Sequence, residues 1–175
     1  MVQAKSNSID RRIKSSCTNL AIASLIGTLI SCYGFYVEYQ AESNTNYTAM
    51  CDISEAVSCT KVFSTEYGKG FGVVGKILGK ESALNVPNGV YGLIFYSIML
   101  VTSLMKCGKI ARIQKWMAIT SNLLSCYLAY LLYFVIQNFC VVCVSLYVVN
   151  AFLLVFSIQK VNSLKERAEM KQKLN

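Results

Sequence analysis

Four cysteines, in two pairs, are the residues of this sequence best equipped for chemistry. Cys140 and Cys143 form a Cys-x-x-Cys inside "QNFCVVCVSLYVV", at the threshold of an apolar stretch, and Cys51 and Cys59 bound "CDISEAVSC". The chain has eight cysteines and no histidine, which removes Ser-His-Asp and Cys-His catalysis and the commonest metal ligand. Three uses remain for the four sulfurs: a zinc site, a static disulfide, or thiol–disulfide exchange. The span from Cys51 to Cys59 is wider than the spacing usual between paired zinc ligands. We therefore expect redox exchange and no metal.

Local geometry supports that reading. Cys140 and Cys143 are three residues apart at the start of a helix, so they share a face and can be bridged. A helix amino terminus favours the thiolate, the reactive form. Tyr147 lies one turn beyond Cys143, and its phenol could donate a hydrogen bond to something held between helices. A tyrosine at that spacing also packs well with no such role. Cys17, Cys32, Cys107 and Cys126 are expected to be small apolar residues packed against their neighbours.

The elements that must position these residues are helices in a membrane. Of the 175 residues 54% are hydrophobic and 15% charged. No charge occurs over Ser15–Val37, Ser82–Met105 or Trp116–Gln159, runs of 23, 24 and 44 residues. The first two each suit one crossing of about 20 residues. The third would extend roughly 66 Å as one helix, about twice a bilayer core of ~30 Å, so it divides, most naturally at Gln137-Asn138. The sequence thus predicts an all-α integral membrane protein. It is a four-transmembrane-helix bundle over about 17–38, 89–106, 116–136 and 140–159, forming one domain across residues 1–175. A soluble helical protein would need charged outer faces, which a 44-residue uncharged run cannot supply.

The net charge of +8 is placed by topology, so no nucleic-acid partner is expected. Thirteen of the 17 basic residues fall at the amino terminus, in the link between helices two and three, and in the tail after Gln159. An even number of crossings puts those segments on one side. The positive-inside rule makes both termini cytoplasmic and the 40–88 loop lumenal. The first helix has too long an apolar region, and no small-residue cleavage site, for a removed signal peptide. Asn46-Tyr47-Thr48 is a glycosylation sequon in the lumenal loop. "KQKLN" at the tail looks like a dilysine retrieval signal of endoplasmic reticulum membrane proteins.

The 40–88 loop is too small for an independent core and must lean on the helices or a disulfide. Within its glycine-rich part, Phe71, Val74, Ile77 and Leu78 at helical spacing predict a short interfacial helix in a lumenal cap. A dithiol in the membrane, beneath a loop with two more cysteines, suits a two-electron relay. Protein thiols would meet Cys51 and Cys59, and a lipid-soluble quinone would meet the apolar end.

"CDISEAVSC", "GKGFG", "NVPNGVYGLIFY" and "FCVVCVSLYVVN", in this order from about Cys51 to Asn150, resemble the vitamin K epoxide reductase family. The resemblance implies an endoplasmic reticulum enzyme that reduces vitamin K 2,3-epoxide to the quinone and the quinone to the hydroquinone. It holds no permanently bound cofactor, draws electrons from lumenal thioredoxin-like oxidoreductases, and is a target of warfarin-type inhibitors. By that resemblance Cys143 forms the substrate adduct and Cys140 resolves it. Cys51 and Cys59 are the relay, with Cys59 reducing the Cys140–Cys143 disulfide. Asn88 and Tyr147 would hydrogen-bond the substrate's carbonyl oxygens, Phe63 would cover the pocket, and Val62, Tyr91 and Phe95 would line it. Tyr67 replaces the tryptophan common in the family, which implies a changed fit. Two other readings stay open: a quinone-dependent disulfide-generating oxidase, and a non-enzymatic tetraspan adaptor with a structural Cys51–Cys59 disulfide.

Overall fold

The computed structural model describes residues 2–44, 47–79 and 81–174, so Asn46 of the sequon lies outside the described residues. Helix α1 runs Val2–Ser43, and α2, a short helix, Cys59–Phe63. A 3₁₀ turn at Gly70–Gly72 precedes α3, Val74–Ile77. Helix α4 is Asn88–Ser103 and α5 is Gly108–Tyr130, which continues as a π-helical stretch over Leu131–Ile136. Helix α6 is Val141–Leu174.

Three of these helices are long and apolar enough to cross a membrane: α1, α5 with its π-helical extension, and α6. Helix α4 is apolar but only 16 residues long, about 24 Å at 1.5 Å per residue, short of a ~30 Å hydrocarbon core. Large apolar side chains such as Leu29, Leu123 and Tyr133 stand exposed on the outer faces. In water such a surface would be a liability, and in lipid it is the ordinary state.

Helix α1 is the centre of the packing: it lies against α4 and α6, and α6 also packs on α5, whereas α4 and α5 barely meet. Small residues set the closeness of α1 and α4, as is usual between membrane helices. A Cβ at Gly89 would stand 3.0 Å from the Phe35 backbone, and one at Gly27 would run into the Tyr96 ring.

Helices α1 and α6 extend well beyond the apolar runs that announce them. Residues Ile9, Ile13 and Cys17 of α1 form a buried seam with Leu164 and Met170 of α6. Ion pairs flank the seam, Arg12 to Glu166 at 3.0 Å and Arg167 to Asp10 at 3.4 Å. Exposed pairs of this kind add little, so the apolar seam holds the two ends together.

Lys160 is not a solvated tail cation but a fully buried one. Its ammonium donates to the Ser103 carbonyl at 2.7 Å, the Gln114 Oε1 at 2.8 Å and the Thr102 carbonyl at 3.4 Å. Those two carbonyls end α4, beyond its last full turn; the Thr102 carbonyl also accepts from Met105 N–H at 3.1 Å, so the Ser103 carbonyl depends on Lys160 the more. A positive charge there also opposes the negative end of the helix dipole. One side chain of α6 thus caps α4 and ties it to α5.

The interfacial helix expected near Phe71–Leu78 is smaller than its pattern suggests. Phe71 has φ of 58° and lies outside the helical region, so only Val74–Ile77 closes an α-helical turn. Ile77 and Leu78 remain exposed.

Lys160→Met keeps the bulk and removes the three donated bonds. We expect it to destabilise the purified protein by about 1–3 kcal/mol, the cost of leaving buried acceptors unpaired. Thermal unfolding in detergent measures this, and an unchanged melting temperature would refute the capping role.

Candidate functional site

The two cysteine pairs meet because the backbone segments before them are pinned together. Helix α5 ends through its π-helical stretch, and Gln137 then takes a left-handed conformation, φ 55°, which turns the chain across the top of the bundle. Phe139 pairs with the 56–58 strand-like segment there: its N–H donates to the Ala56 carbonyl at 2.8 Å, and its carbonyl accepts from Ser58 N–H at 3.0 Å. The next residues along each segment are Cys140 and Cys59.

Those two sulfurs lie 3.8 Å apart, both fully buried. Cys59 is disulfide-bonded to Cys51, with Cα atoms 5.9 Å apart, while Cys140 and Cys143 are free thiols. Val37, Val62, Leu132 and Val142 pack around the cluster, excluding water from the line between Cys59 and Cys140. Cys140 immediately precedes α6, and its sulfur accepts from the Cys143 N–H at 3.2 Å. That is the bond an N-cap serine makes to the third helical amide.

Asp52 organises the loop that carries Cys51. Its carboxylate accepts from Ala49 N–H at 3.0 Å and Thr60 N–H at 3.1 Å, tying the residue after Cys51 to the one after Cys59. Burial alone would push the Asp52 carboxyl up, but bonds from Thr60, Ala49 and Ser58 hold it below its ordinary value of 3.8. Cys51, Asp52 and Cys59 place three potential metal-ligand atoms within 4.8 Å of one another. In this disulfide-bonded form the sulfurs are not thiolates, and the carboxylate already serves two amides.

Beside the cysteines a cavity of about 640 Å³ runs between the helices. Cys143 and Tyr147 line it from α6, Val62 and Phe63 from α2, Tyr91 and Phe95 from α4, and Tyr67 and Asn88 from the cap side. Cys51, Cys59 and Cys140 are not among its lining residues, so Cys143 is the thiol that faces this space. The wall is mostly apolar, with α5 contributing Trp116, Met117, Leu124 and Leu128. Because α4 and α5 barely meet, the side chains of those two helices line open space between them.

Asn88, the first residue of α4, fastens the cap. Its Oδ1 accepts from Phe71 N–H at 2.8 Å, and its Nδ2 donates to the Tyr67 carbonyl at 2.7 Å. The first bond holds Phe71 in its left-handed conformation. The Phe71 ring packs on Tyr91, centroids 4.9 Å apart. Tyr67 stands against Gly72, where any Cβ would collide with its ring, and Lys76 Nζ lies 5.1 Å from that ring's centroid. An amide nitrogen has two protons, and among the described residues one of those on Asn88 is donated, to Tyr67.

A polar network at the cavity floor escapes a reading of motifs. Tyr96 donates to Asn150 Oδ1 at 2.8 Å, Asn150 Nδ2 to Ser125 Oγ at 2.8 Å, and Asn122 Nδ2 to the Asn150 carbonyl at 2.9 Å. It binds α4, α5 and α6 together. Amides inside uncharged runs were its signal, since a polar residue at membrane depth needs a partner. Of the remaining cysteines, Cys17 is buried as expected, but Cys32, Cys107 and Cys126 are exposed.

Comparison with known proteins points one way. The model of the vitamin K epoxide reductase family matches residues 19–158. The chain is 40% identical over 141 residues to vitamin K epoxide reductase complex subunit 1 of Rattus norvegicus, covering 78% of this chain and 85% of that one. It is 38% identical over the same length to the Mus musculus protein of that name, with the same coverage.

Asp52→Ala removes both amide acceptors and should lower the melting temperature at pH 7, by about 1 kcal/mol of stability. The folded carboxyl lies below its ordinary value, so its contribution is present above pH 3.8 and is lost as pH falls through the folded value. The gap between variant and parent should therefore close in strong acid. A gap that persists there would show that the carboxylate's charge is not what organises the loop.

Proposed function

The chain belongs to the vitamin K epoxide reductase family, and on that premise we propose that it reduces vitamin K 2,3-epoxide to the quinone and the quinone to the hydroquinone. The observation that carries the reading is the chain of sulfurs. Cys59 and Cys140 are 3.8 Å apart, and Cys143, one turn along, faces an apolar cavity large enough for a quinone ring.

The proposed cycle balances in two electrons. Beginning from the free thiols, Cys143 as thiolate attacks the epoxide carbon and opens the ring, forming an adduct. Cys140 then attacks the Cys143 sulfur, closing a disulfide and releasing the quinone; two thiols become one disulfide, and the epoxide oxygen leaves as water. Reduction of quinone to hydroquinone consumes a second dithiol in the same way. Regeneration begins when Cys59, reduced, attacks Cys140 and frees the Cys143 thiol. Cys51 attacks Cys59 and frees Cys140, leaving the Cys51–Cys59 disulfide to be reduced by an external dithiol. The arrangement of a Cys51–Cys59 disulfide beside two free thiols is the form in which electrons have reached the substrate-side pair.

Around the reacting sulfur, Asn88 and Tyr147 are proposed to donate to the two carbonyl oxygens of the ring, where charge develops as electrons arrive. Val62, Phe63, Tyr67, Tyr91 and Phe95 would hold the ring and its first isoprene unit. The space between α4 and α5 suits a membrane-dissolved tail. Warfarin-type inhibitors would compete for this cavity.

We read α4 as a fourth crossing, its shortfall taken up by the flanking residues. Both termini would then be cytoplasmic and the cysteine end lumenal, where thioredoxin-like oxidoreductases supply the thiols. The endoplasmic reticulum is the compartment that fits, and glycosylation at Asn46 would be consistent with it.

Cys143→Ala should abolish epoxide turnover by purified protein with a small dithiol, because the nucleophile is gone. Substantial residual activity would sink the assignment. Cys51→Ala should impair turnover driven by a protein reductant far more than turnover driven by the small dithiol, and equal losses would remove Cys51 from the relay. An enzyme that oxidises protein thiols with quinone yet turns over no epoxide would instead be a disulfide-generating oxidase.

A further inference from the structure

The far end of the molecule from the two cysteine pairs holds a second cavity, about 760 Å³, with a different chemistry. It lies between the first turns of α5 and the extension of α6. Lys106, Arg112, Lys165, Arg167 and Lys171 rim it, and Val161, Leu164 and Ala168 form an apolar floor. Arg167 is engaged by Asp10 at 3.4 Å, and Lys165 reaches Glu169 only at 3.9 Å between two exposed side chains. Among the described residues no acidic side chain pairs with Lys106, Arg112 or Lys171.

Two further features of α5 add to this. Its amino terminus opens on the cavity at Gly108, with no acidic residue in its first turn. The positive end of the helix dipole therefore adds to the cationic rim. Trp116, exposed beneath Lys115, is the kind of residue that marks a membrane–water boundary. Arg112 is one turn outward from it, about 6 Å along the axis, and a headgroup layer is roughly 5–8 Å thick on each side. The cavity thus sits at headgroup depth, with its floor apolar and its rim charged.

We propose that this cavity binds the phosphate-bearing headgroup of an anionic phospholipid, with the glycerol end over Val161, Leu164 and Ala168. The shared chemistry is a phosphate group held by Lys106, Arg112 and Lys171. The membrane source is preferred because the floor would bury apolar surface that a free phosphate does not have. Neither the redox relay nor the substrate cavity requires the site, so its test stands apart from theirs.

The experiment uses the full chain in nanodiscs of phosphatidylcholine, with or without phosphatidylinositol 4-phosphate, and measures lipid retained after transfer to detergent by native mass spectrometry. Retention of the anionic lipid over phosphatidylcholine is expected. Dioctanoyl phosphatidylinositol 4-phosphate, titrated in detergent, should bind the parent and bind Lys106→Gln/Arg112→Gln about 25-fold more weakly, at roughly fivefold per basic side chain. Both side chains are exposed, so the exchange should leave the melting temperature unchanged. Lys5→Gln/Lys14→Gln, which removes the same charge from α1 away from the cavity, should bind as the parent does. Equal loss in the two double variants would overturn the site in favour of general surface attraction. Inorganic phosphate binding as tightly as the short-chain lipid would overturn the lipid assignment.

Discussion

The paired backbone at Phe139 is the constraint on which the site depends. Cys59 and Cys140 belong to segments 81 residues apart in sequence, and neither helix axis by itself would bring their sulfurs together. Two hydrogen bonds between Phe139 and the Ala56–Ser58 stretch set the register, and one residue further on each strand carries a cysteine. The left-handed turn at Gln137 and the π-helical end of α5 direct Phe139 there. Proximity of this kind turns an encounter between sulfurs into a unimolecular step. It also leaves both sulfurs buried in a dry, apolar setting.

The remainder of the bundle builds a cavity that does not collapse. Membrane helices gain no hydrophobic drive from meeting one another and rely on close packing and internal hydrogen bonds. Here α1 supplies the close packing through Gly27 and the glycines opposite it, while Asn150, Tyr96, Ser125 and Asn122 cross-link the other three helices. Lys160 does the same at the opposite end. With these ties at two levels, α4 and α5 can stay apart without the bundle failing, and the space between them remains open. The polar groups that a membrane makes costly are thus the ones that maintain the cavity.

Much of this was legible in the sequence, and the parts that were not have identifiable causes. Uncharged runs announce helices for a membrane because charge is costly there. They say nothing about residues 2–16 or 160–174, which are helical through a seam of Ile9, Ile13, Leu164 and Met170 that only tertiary contact creates. Charge counting places Lys160 in the tail, since a single lysine at the end of an apolar run usually reaches water. Its burial follows from three acceptors on α4 and α5 that no local pattern reveals. Cysteine spacing and the family resemblance name the four sulfurs. Their separation depends on Phe139, whose side chain is half exposed and whose contribution is entirely backbone. Phe71 reads as one position in an amphipathic helix because periodicity is blind to a residue held left-handed by a distant amide.

That distant amide gives Asn88 two tasks at once. Its oxygen and one proton secure the cap at Phe71 and Tyr67, and its second proton is the one the proposed function assigns to a substrate carbonyl. A carbonyl that accepts from that proton would polarise the same amide, strengthening the bond its oxygen makes to Phe71. Phe71 packs on Tyr91, and Tyr67 on Gly72, so the gain passes to the aromatic residues over the cavity. On the proposed function, occupancy and cap order would be linked through one side chain, and linkage is reciprocal. Whatever loosens the cap would then weaken a ligand by at most the free energy that the ligand lends to the cap.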